Sequence, residues 1–405
     1  MAEQHPNISE SRRSTTAFIV AWVAYSIVII LLRPSGDLVT HEDFRNFYSA
    51  GVLVRTDPTH LYDLTRQKVI QDTMVSPTEE PLRYVTPPFE TLRYLLFCGL
   101  PYRSAYIWVM LCNLVFIVIS FVVAKQAFVE GLNQWELGPE LLFFLFVPLT
   151  VTITQGQGSI LFLLLVCLSW REYKRDCDFR AGFLLAFTLY KFTVSIPLAI
   201  FLIARRGTKL LAGYVAGAVV VTAISFWMVG AQAMKALGRL LWNATLVGGD
   251  STLRTDTNFS PSWMPNLRGL VYGCGGRYLP PFWLFAITML ASAALLVWIL
   301  RLVRGQRQET TAFGLAIVGA LLLSYYLHFH DITVLLLAVA LLSCGRVPGL
   351  SLWVPLCWGM AAFCYLAGPR FLIGLPLLAL VWAARRERPS DQSEVPILTD
   401  GAAAS

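Results

Sequence analysis

Four stretches of the chain, Thr16 to Leu32, Ser104 to Ala124, Leu210 to Gly230 and Pro280 to Leu302, are apolar almost without interruption. Each approaches the ~20 residues that a helix needs to cross the hydrocarbon of a bilayer. Such a run cannot sit on the surface of a water-soluble domain, and in lipid every backbone polar group must be satisfied internally, which leaves helices or a closed barrel. Runs such as "LLFFLFV" and "ILFLLLVCL" are apolar on every side, whereas barrel strands alternate over ~10 residues. With 56% hydrophobic and 14% charged residues among 405 and a mean hydropathy of +0.60, the chain reads as an all-α integral membrane protein with many spans.

The eight cysteines lie mostly inside apolar runs without CxxC spacing, so they read as small buried hydrophobes, and neither a disulfide framework nor a metal site is indicated. The net charge of +7 is spread over short loops. It forms no basic stripe of the kind that binds nucleic acid, and membrane orientation accounts for it instead. No cofactor is expected.

The positive-inside rule places the N-terminus with Arg12 and Arg13, "REYKRDCDFR" (Arg171 to Arg180), "ARRGTK" (Ala204 to Lys209), "RLVRGQR" (Arg301 to Arg307) and "ARRER" (Ala384 to Arg388) on the cytoplasmic side. Simple alternation of spans then fails twice. "YVTPPFETLRYLLFCGLPY", Tyr84 to Tyr102, begins with two prolines and carries Arg93 in its middle, and it is expected as an interfacial or re-entrant helix at the membrane surface. "GFLLAFTLYKFTVSIPLAIFLIA" has basic loops at both ends and Lys191 at its centre, so it is expected as two half-helices meeting at Lys191. With these corrections the unusual polar clusters share the outer face. Arg370, in a short outer loop, is the exception.

The expected organisation is a cytoplasmic tail (1–15), one polytopic membrane domain (16–384) with outer insertions at 33–103 and 231–279, and a disordered cytoplasmic tail (385–405). The first apolar run, lacking a small-residue cleavage site, reads as a retained membrane helix. The location expected is the plasma membrane.

Chemistry concentrates at a few outer positions. Asp43 follows Glu42 at the start of a helix whose Phe44, Phe47, Tyr48, Val52 and Arg55 are spaced by threes and fours. Acidic residues favour helix starts for dipole reasons; the sharper reading makes Asp43 a general base at the water–membrane boundary. Position alone leaves both open. His41, His328 and His330 also fall at outer boundaries, and in "YYLHFHDIT" the last two sit beside Asp331. Phosphate or sugar binding is preferred there over a metal, which lacks further ligands at fixed spacing. Lys191, a cation within an apolar hairpin, is costly unless paired or facing water; it either snorkels to the interface or holds a phosphate. Arg254, Arg268 and Arg277 are further outer cations, and Gln155 and Gln157 in "QGQGS" offer amides for sugar or phosphate contact. Phe47, Tyr48 and Tyr62 suit sugar stacking or simple packing.

These residues also carry a resemblance. "DFRNFYSAGVLVRTDPTHLYD", "YVTPPFETLRYLLFCGLPYRSAYIWVMLCNL", "GQGSILFLLLVCL", "LAFTLYKFTVSIPLAIFLIARR", "PNLRGL" and "HFHDITVLLLAVAL" resemble, in order, the pattern of glycosyltransferase family 87. The likeness spans roughly residues 40 to 345. It implies a GT-C-type multi-span helical bundle with interfacial and broken helices. It also implies an inverting hexosyltransferase that takes a mannose-like hexose from a polyprenyl-phosphate donor to a glycolipid or glycan acceptor on the outer leaflet, although mannose and arabinofuranose donors both occur among relatives of the family. By the match, Asp43 occupies the position of the catalytic carboxylate and Lys191 that of the lysine after the leucine-rich half-helix. His330 and Asp331 match the polar step before a late span. Donor-phosphate binding then falls to Lys191, His330 and Arg268, and substrate binding to His328, Asp331, Gln155, Gln157, Tyr48 and Tyr62. Thr56 stands where glycine is common, and "QGQGS" lacks the asparagine often found after the second glutamine. The competing classes are a transporter or lipid-linked-sugar flippase, and a non-catalytic sugar-binding subunit.

Overall fold

The structure, a computed structural model, describes residues 43–74, 80–132, 145–246 and 260–385. The run Thr16 to Leu32, His41, Glu42, Arg254, the first tail and residues 386–405 lie outside the described residues. Among those described, the chain is helical with no strand: α1 (Phe44–Thr56), α2 (Leu64–Gln71), α3 (Leu92–Leu95), α4 (Tyr102–Val123), α5 (Lys125–Leu132), α6 (Val147–Thr154), α7 (Ser159–Lys174), α8 (Asp178–Ala186), α9 (Phe192–Arg206) and α10 (Thr208–Leu246). They continue as α11 (Leu267–Gly275), α12 (Pro281–Gly305), α13 (Glu309–Leu323), α14 (Leu335–Cys344), α15 (Leu350–Ala367) and α16 (Gly374–Ala384).

One end of the bundle gathers the cations. Arg205 makes a two-pronged contact with Glu309, Nε and Nη2 each 3.0 Å from a carboxylate oxygen. Arg206 pairs with Asp176 at 2.6 Å, Arg304 Nε donates to Ala204 O at 3.0 Å, and Gln306 Nε2 donates to Ala384 O at 3.0 Å. The basic loops around 171–180, 204–209 and 301–307 and the start of "ARRER" therefore meet at a single end. This basic end is held by hydrogen-bonded pairs rather than by like charges left to repel.

Two of the helical crossings are interrupted. Arg206 Nε lies 3.8 Å from Asp178 Oδ1, although a continuous helix between these residues would separate them by ~42 Å. Asp178–Arg206 is therefore a hairpin, with a 3-10 turn (Phe187–Lys191) at its tip, as the charge count around Lys191 requires. The other interruption is a bend of 118° between α6 and α7, around residues 155–158.

Tyr84 to Tyr102 does not cross either. It holds only a 3-10 turn at Pro88–Thr91 and the single helical turn α3. Arg93 within it turns into the protein: its side chain is only 13% exposed and lies 3.8 Å from Glu90, one turn earlier, which balances its charge.

Helix lengths fix the depth of the tips. Helices α7, α9 and α13 rise ~22–24 Å from the basic end, while α4 and α12 rise ~33–37 Å. A helix of the shorter set is too short for ~30 Å of hydrocarbon, so the tips of α7, α9 and α13 stop below the ends of the longer helices packed beside them, α4 for the first and α12 for the other two. The close packing of α8 on α10 keeps this arrangement compact. A Cβ on Gly213 would sit 2.0 Å from Phe179 O, and one on Gly182 would sit 2.1 Å from Leu210 O. Gly213 and Gly217 form the small-xxx-small spacing that lets membrane helices approach backbone to backbone.

Gly213→Leu is expected to force α8 and α10 apart and cost at least ~1–3 kcal/mol, the usual overpacking range. Thermal unfolding in detergent should show a clear drop in Tm. An unchanged Tm contradicts the packing described.

Candidate active site

The site is assembled from helix ends and breaks, where helices leave polar groups without intrahelical partners. Asp43 is the N-cap residue of α1, yet its side chain makes no capping hydrogen bond. Its Oδ2 instead accepts from Gln157 Nε2 at the bend between α6 and α7. The dipole reading of Asp43 therefore leaves its best-defined interaction unexplained. Gln157 is 5% exposed and is held in turn by its neighbours. Gly156, with φ +64°, lies against Phe44, where any Cβ would come within 3.0 Å of the ring.

Two residues further on, Ser159 Oγ donates to Asp331 Oδ1 at 3.1 Å. The Lys191 ammonium pairs with that same oxygen. Asp331 Oδ2 accepts the backbone N–H of His328 at 3.0 Å, and His330 Nε2 lies 3.5 Å from Oδ1. One carboxylate thus joins α7, the tip of the 178–206 hairpin and the segment that leads into α14. The 3-10 turn Phe329–Val334 precedes α14 and is fixed to α6 by the Thr152–Thr333 hydroxyl contact at 2.9 Å. Asp331 is buried and Lys191 largely so, at 7% and 13% side-chain exposure. Asp43 is half-buried and His328 exposed, so these two form the open side of the cluster.

A second pair of charges lies beside the first. Glu90 is buried, which pushes its carboxyl above the ordinary glutamate range, while Arg93 and Lys191 pull it back. Two cations, Lys191 and Arg93, therefore face two carboxylates, Asp331 and Glu90. The sequence reading missed Glu90, Ser159 and the role of Arg93; an acid and a base three positions apart in "PPFETLR" was the available signal.

The remaining expected residues fall in two groups. His330 belongs to the cluster, its ring 5.2 Å from that of His328 and nearly parallel at 13°. Gln155, at the bend, keeps a buried Oε1 without a hydrogen-bond partner. Arg268 is connected only indirectly: it donates to Tyr325 O at 3.1 Å and packs 3.9 Å from the Tyr325 ring, in the segment before His328. The hydroxyls of Tyr48 and Tyr62 are held within the protein, donating to Leu100 O at 2.7 Å and to Thr86 O at 2.8 Å. Tyr62 is further stacked on Tyr84. Arg370, the misfit of the charge count, lies 5.7 Å over the Phe329 ring and acts electrostatically on both site histidines. Among the described residues, no three His, Cys, Asp or Glu side chains converge as metal ligands do.

Short helices ending beside longer ones, a charge pair between their tips and basic loops gathered at the opposite end characterise a membrane-embedded helical protein. The model of glycosyltransferase family 87 matches residues 84–327, and the chain belongs to that family of membrane glycosyltransferases. The match contains Glu90, Arg93, Gln155, Gln157, Lys191 and Arg268, while Asp43 and the residues from His328 to Asp331 lie beyond its limits. No curated protein and no solved structure matches the chain.

Removing one member of a buried ion pair strands the other, at a typical cost of ~3–5 kcal/mol, whereas replacing both is far milder. Lys191→Met and Asp331→Asn should each lower Tm in detergent sharply, and the double variant should recover a large part of the loss. Additive losses contradict the pairing.

Proposed function

We propose that the protein is an inverting glycosyltransferase that moves a mannose-like hexose from a polyprenyl-phosphate donor to a lipid- or glycan-linked acceptor on the extracytoplasmic face of the plasma membrane. Asp43 is the general base. The observation that carries this reading is the Gln155–Gly158 bend: Gln157 holds Asp43, and Ser159, two residues later, holds the Asp331 that pairs with Lys191. Base and cation are thus tied to one rigid turn.

Inversion requires the acceptor oxygen to attack the anomeric carbon opposite the departing phosphate while a carboxylate takes its proton. Gln157 occupies Asp43 Oδ2, which leaves Oδ1 to receive the acceptor proton. As the new glycosidic bond forms, the bond from the anomeric carbon to the phosphate oxygen breaks, and the electron pair leaves with the phosphate. The donor is a phosphodiester and the leaving group a phosphomonoester, so one negative charge develops there. No general acid is required if cations meet that charge. Lys191 has three N–H donors and spends one on Asp331, which leaves two for the phosphate. His328, on the open side, is suited to a sugar hydroxyl. The recessed depth of the helix tips supports a donor that enters from the bilayer with its headgroup held just below the interface.

Asp43→Asn is expected to lower radiolabelled sugar transfer from polyprenyl-phosphate donors ~10²–10⁴-fold, with normal membrane expression. Unchanged transfer removes Asp43 from its role and revives the transport and sugar-binding readings.

The orientation is tested separately by single cysteines in a background with all eight native cysteines replaced, since Cys274 is exposed and Cys177, two residues from Arg175, is partly so. Tyr278→Cys, before α12, should react with a membrane-impermeant maleimide in intact cells, and Arg175→Cys, at the basic end, only after permeabilisation. The reverse pattern overturns the assigned sides.

A further inference from the structure

The bend between α6 and α7 is held more firmly than a connection requires. Thr154 O accepts from the Tyr106 hydroxyl, and Gly156 O accepts from the Tyr94 hydroxyl at 3.1 Å and from Arg93 Nη2 at 3.4 Å. Gln157 O accepts from Asn113 Nδ2 at 3.4 Å, and Gly158 O from the Tyr190 hydroxyl at 2.9 Å. Side chains from three separate parts of the chain thus hold the backbone still, and the Gln157 amide is left to face Asp43.

Arg93 is the unusual member of this set. Tyrosines and an asparagine bind carbonyls without burying a charge; Arg93 brings a cation into the interior and requires Glu90 to balance it. Its Nε and Nη1 make no hydrogen bond. A buried pair with unmet donors is typically no more stable than apolar residues of similar volume, so stability does not account for its presence. Its location is more informative. The guanidinium lies 4.2 Å from the Tyr94 ring, on the residue that shares the Gly156 carbonyl with it. A Cβ on Gly158 would come within 3.0 Å of Glu90 Oε1 and 3.1 Å of Arg93 Nη1. The pair fills the notch directly beneath the bend.

We propose that Arg93, balanced by Glu90, is a positioning residue for sugar transfer: it fixes the Gly156 peptide and thereby aims Gln157 Nε2 at the Asp43 carboxylate. It acts on the base through the turn and contacts no substrate. The inference rests on the reading of Asp43 as general base, and it assigns to "PPFETLR" a part in catalysis through residues more than sixty positions away.

A double-mutant cycle tests it. Arg93→Met is expected to lower kcat ~10²-fold, the scale of a catalytic group displaced by about 1 Å, with KM for the polyprenyl-phosphate donor little changed. If Arg93 works through Gln157, the Arg93→Met/Gln157→Ala protein is no slower than Gln157→Ala alone. Losses that multiply overturn the proposal, as does an effect confined to KM. Gly158→Ala guards against misfolding of the charge variant, because it keeps every charge yet pushes on the pair. It should reproduce the fall in kcat, and full kcat in that variant also overturns the proposal. Persisting transfer in Asp43→Asn refutes the base itself. A multiplicative cycle beside an inactive Asp43→Asn refutes the positioning role alone.

Discussion

The ion pair between Lys191 and Asp331 is the constraint on which the rest of the site depends. Neither charge is tolerable alone in an apolar bundle. Their union fixes where the 178–206 hairpin must turn and where the segment before α14 must pass. Because Asp331 also binds Ser159 and the His328 backbone, the beginning of α7 and the histidines are positioned by the same oxygens. Both oxygens of Asp331 thus have partners within the protein, which makes it a structural junction of the cluster.

Helix length then converts this local chemistry into a place in the membrane. Fifteen- or sixteen-residue helices such as α7, α9 and α13 reach ~22–24 Å, short of the ~30 Å of hydrocarbon. The longer α4 packs beside α7, and the longer α12 beside α9 and α13. A polar cluster at the short tips is therefore sheltered from bulk water on its sides, where electrostatic contacts are stronger than in solvent, yet it stays open through Asp43 and His328.

Much of this was legible in the sequence. Apolar runs gave the class of fold, and charge parity located the break at Lys191 before any coordinates, because burying a lysine and returning to the same basic end are both physically costly unless the chain turns there. What stayed hidden were the long-range partners. Nothing local to Asp43 announces Gln157, 114 positions away, and Arg93 in an apolar, proline-led segment reads equally well as a surface anchor until Glu90 is seen against it. Tyr48 and Tyr62 were ambiguous for the opposite reason. Their rings suit sugars, but their hydroxyls are spent on backbone carbonyls. Arg370 looked out of place because the positive-inside rule counts charges and not the aromatic and histidine surfaces that receive them.

The most direct measurement is an experimental structure with a non-transferable polyprenyl-phosphate sugar analogue bound. The account predicts its phosphate within hydrogen-bond distance of Lys191 Nζ and its anomeric carbon on the side facing Asp43 Oδ1, with the isoprenoid leaving between the longer helices. A headgroup bound at the basic end, beside Arg171 and Lys174, or one separated from Asp43 by packed side chains, contradicts it.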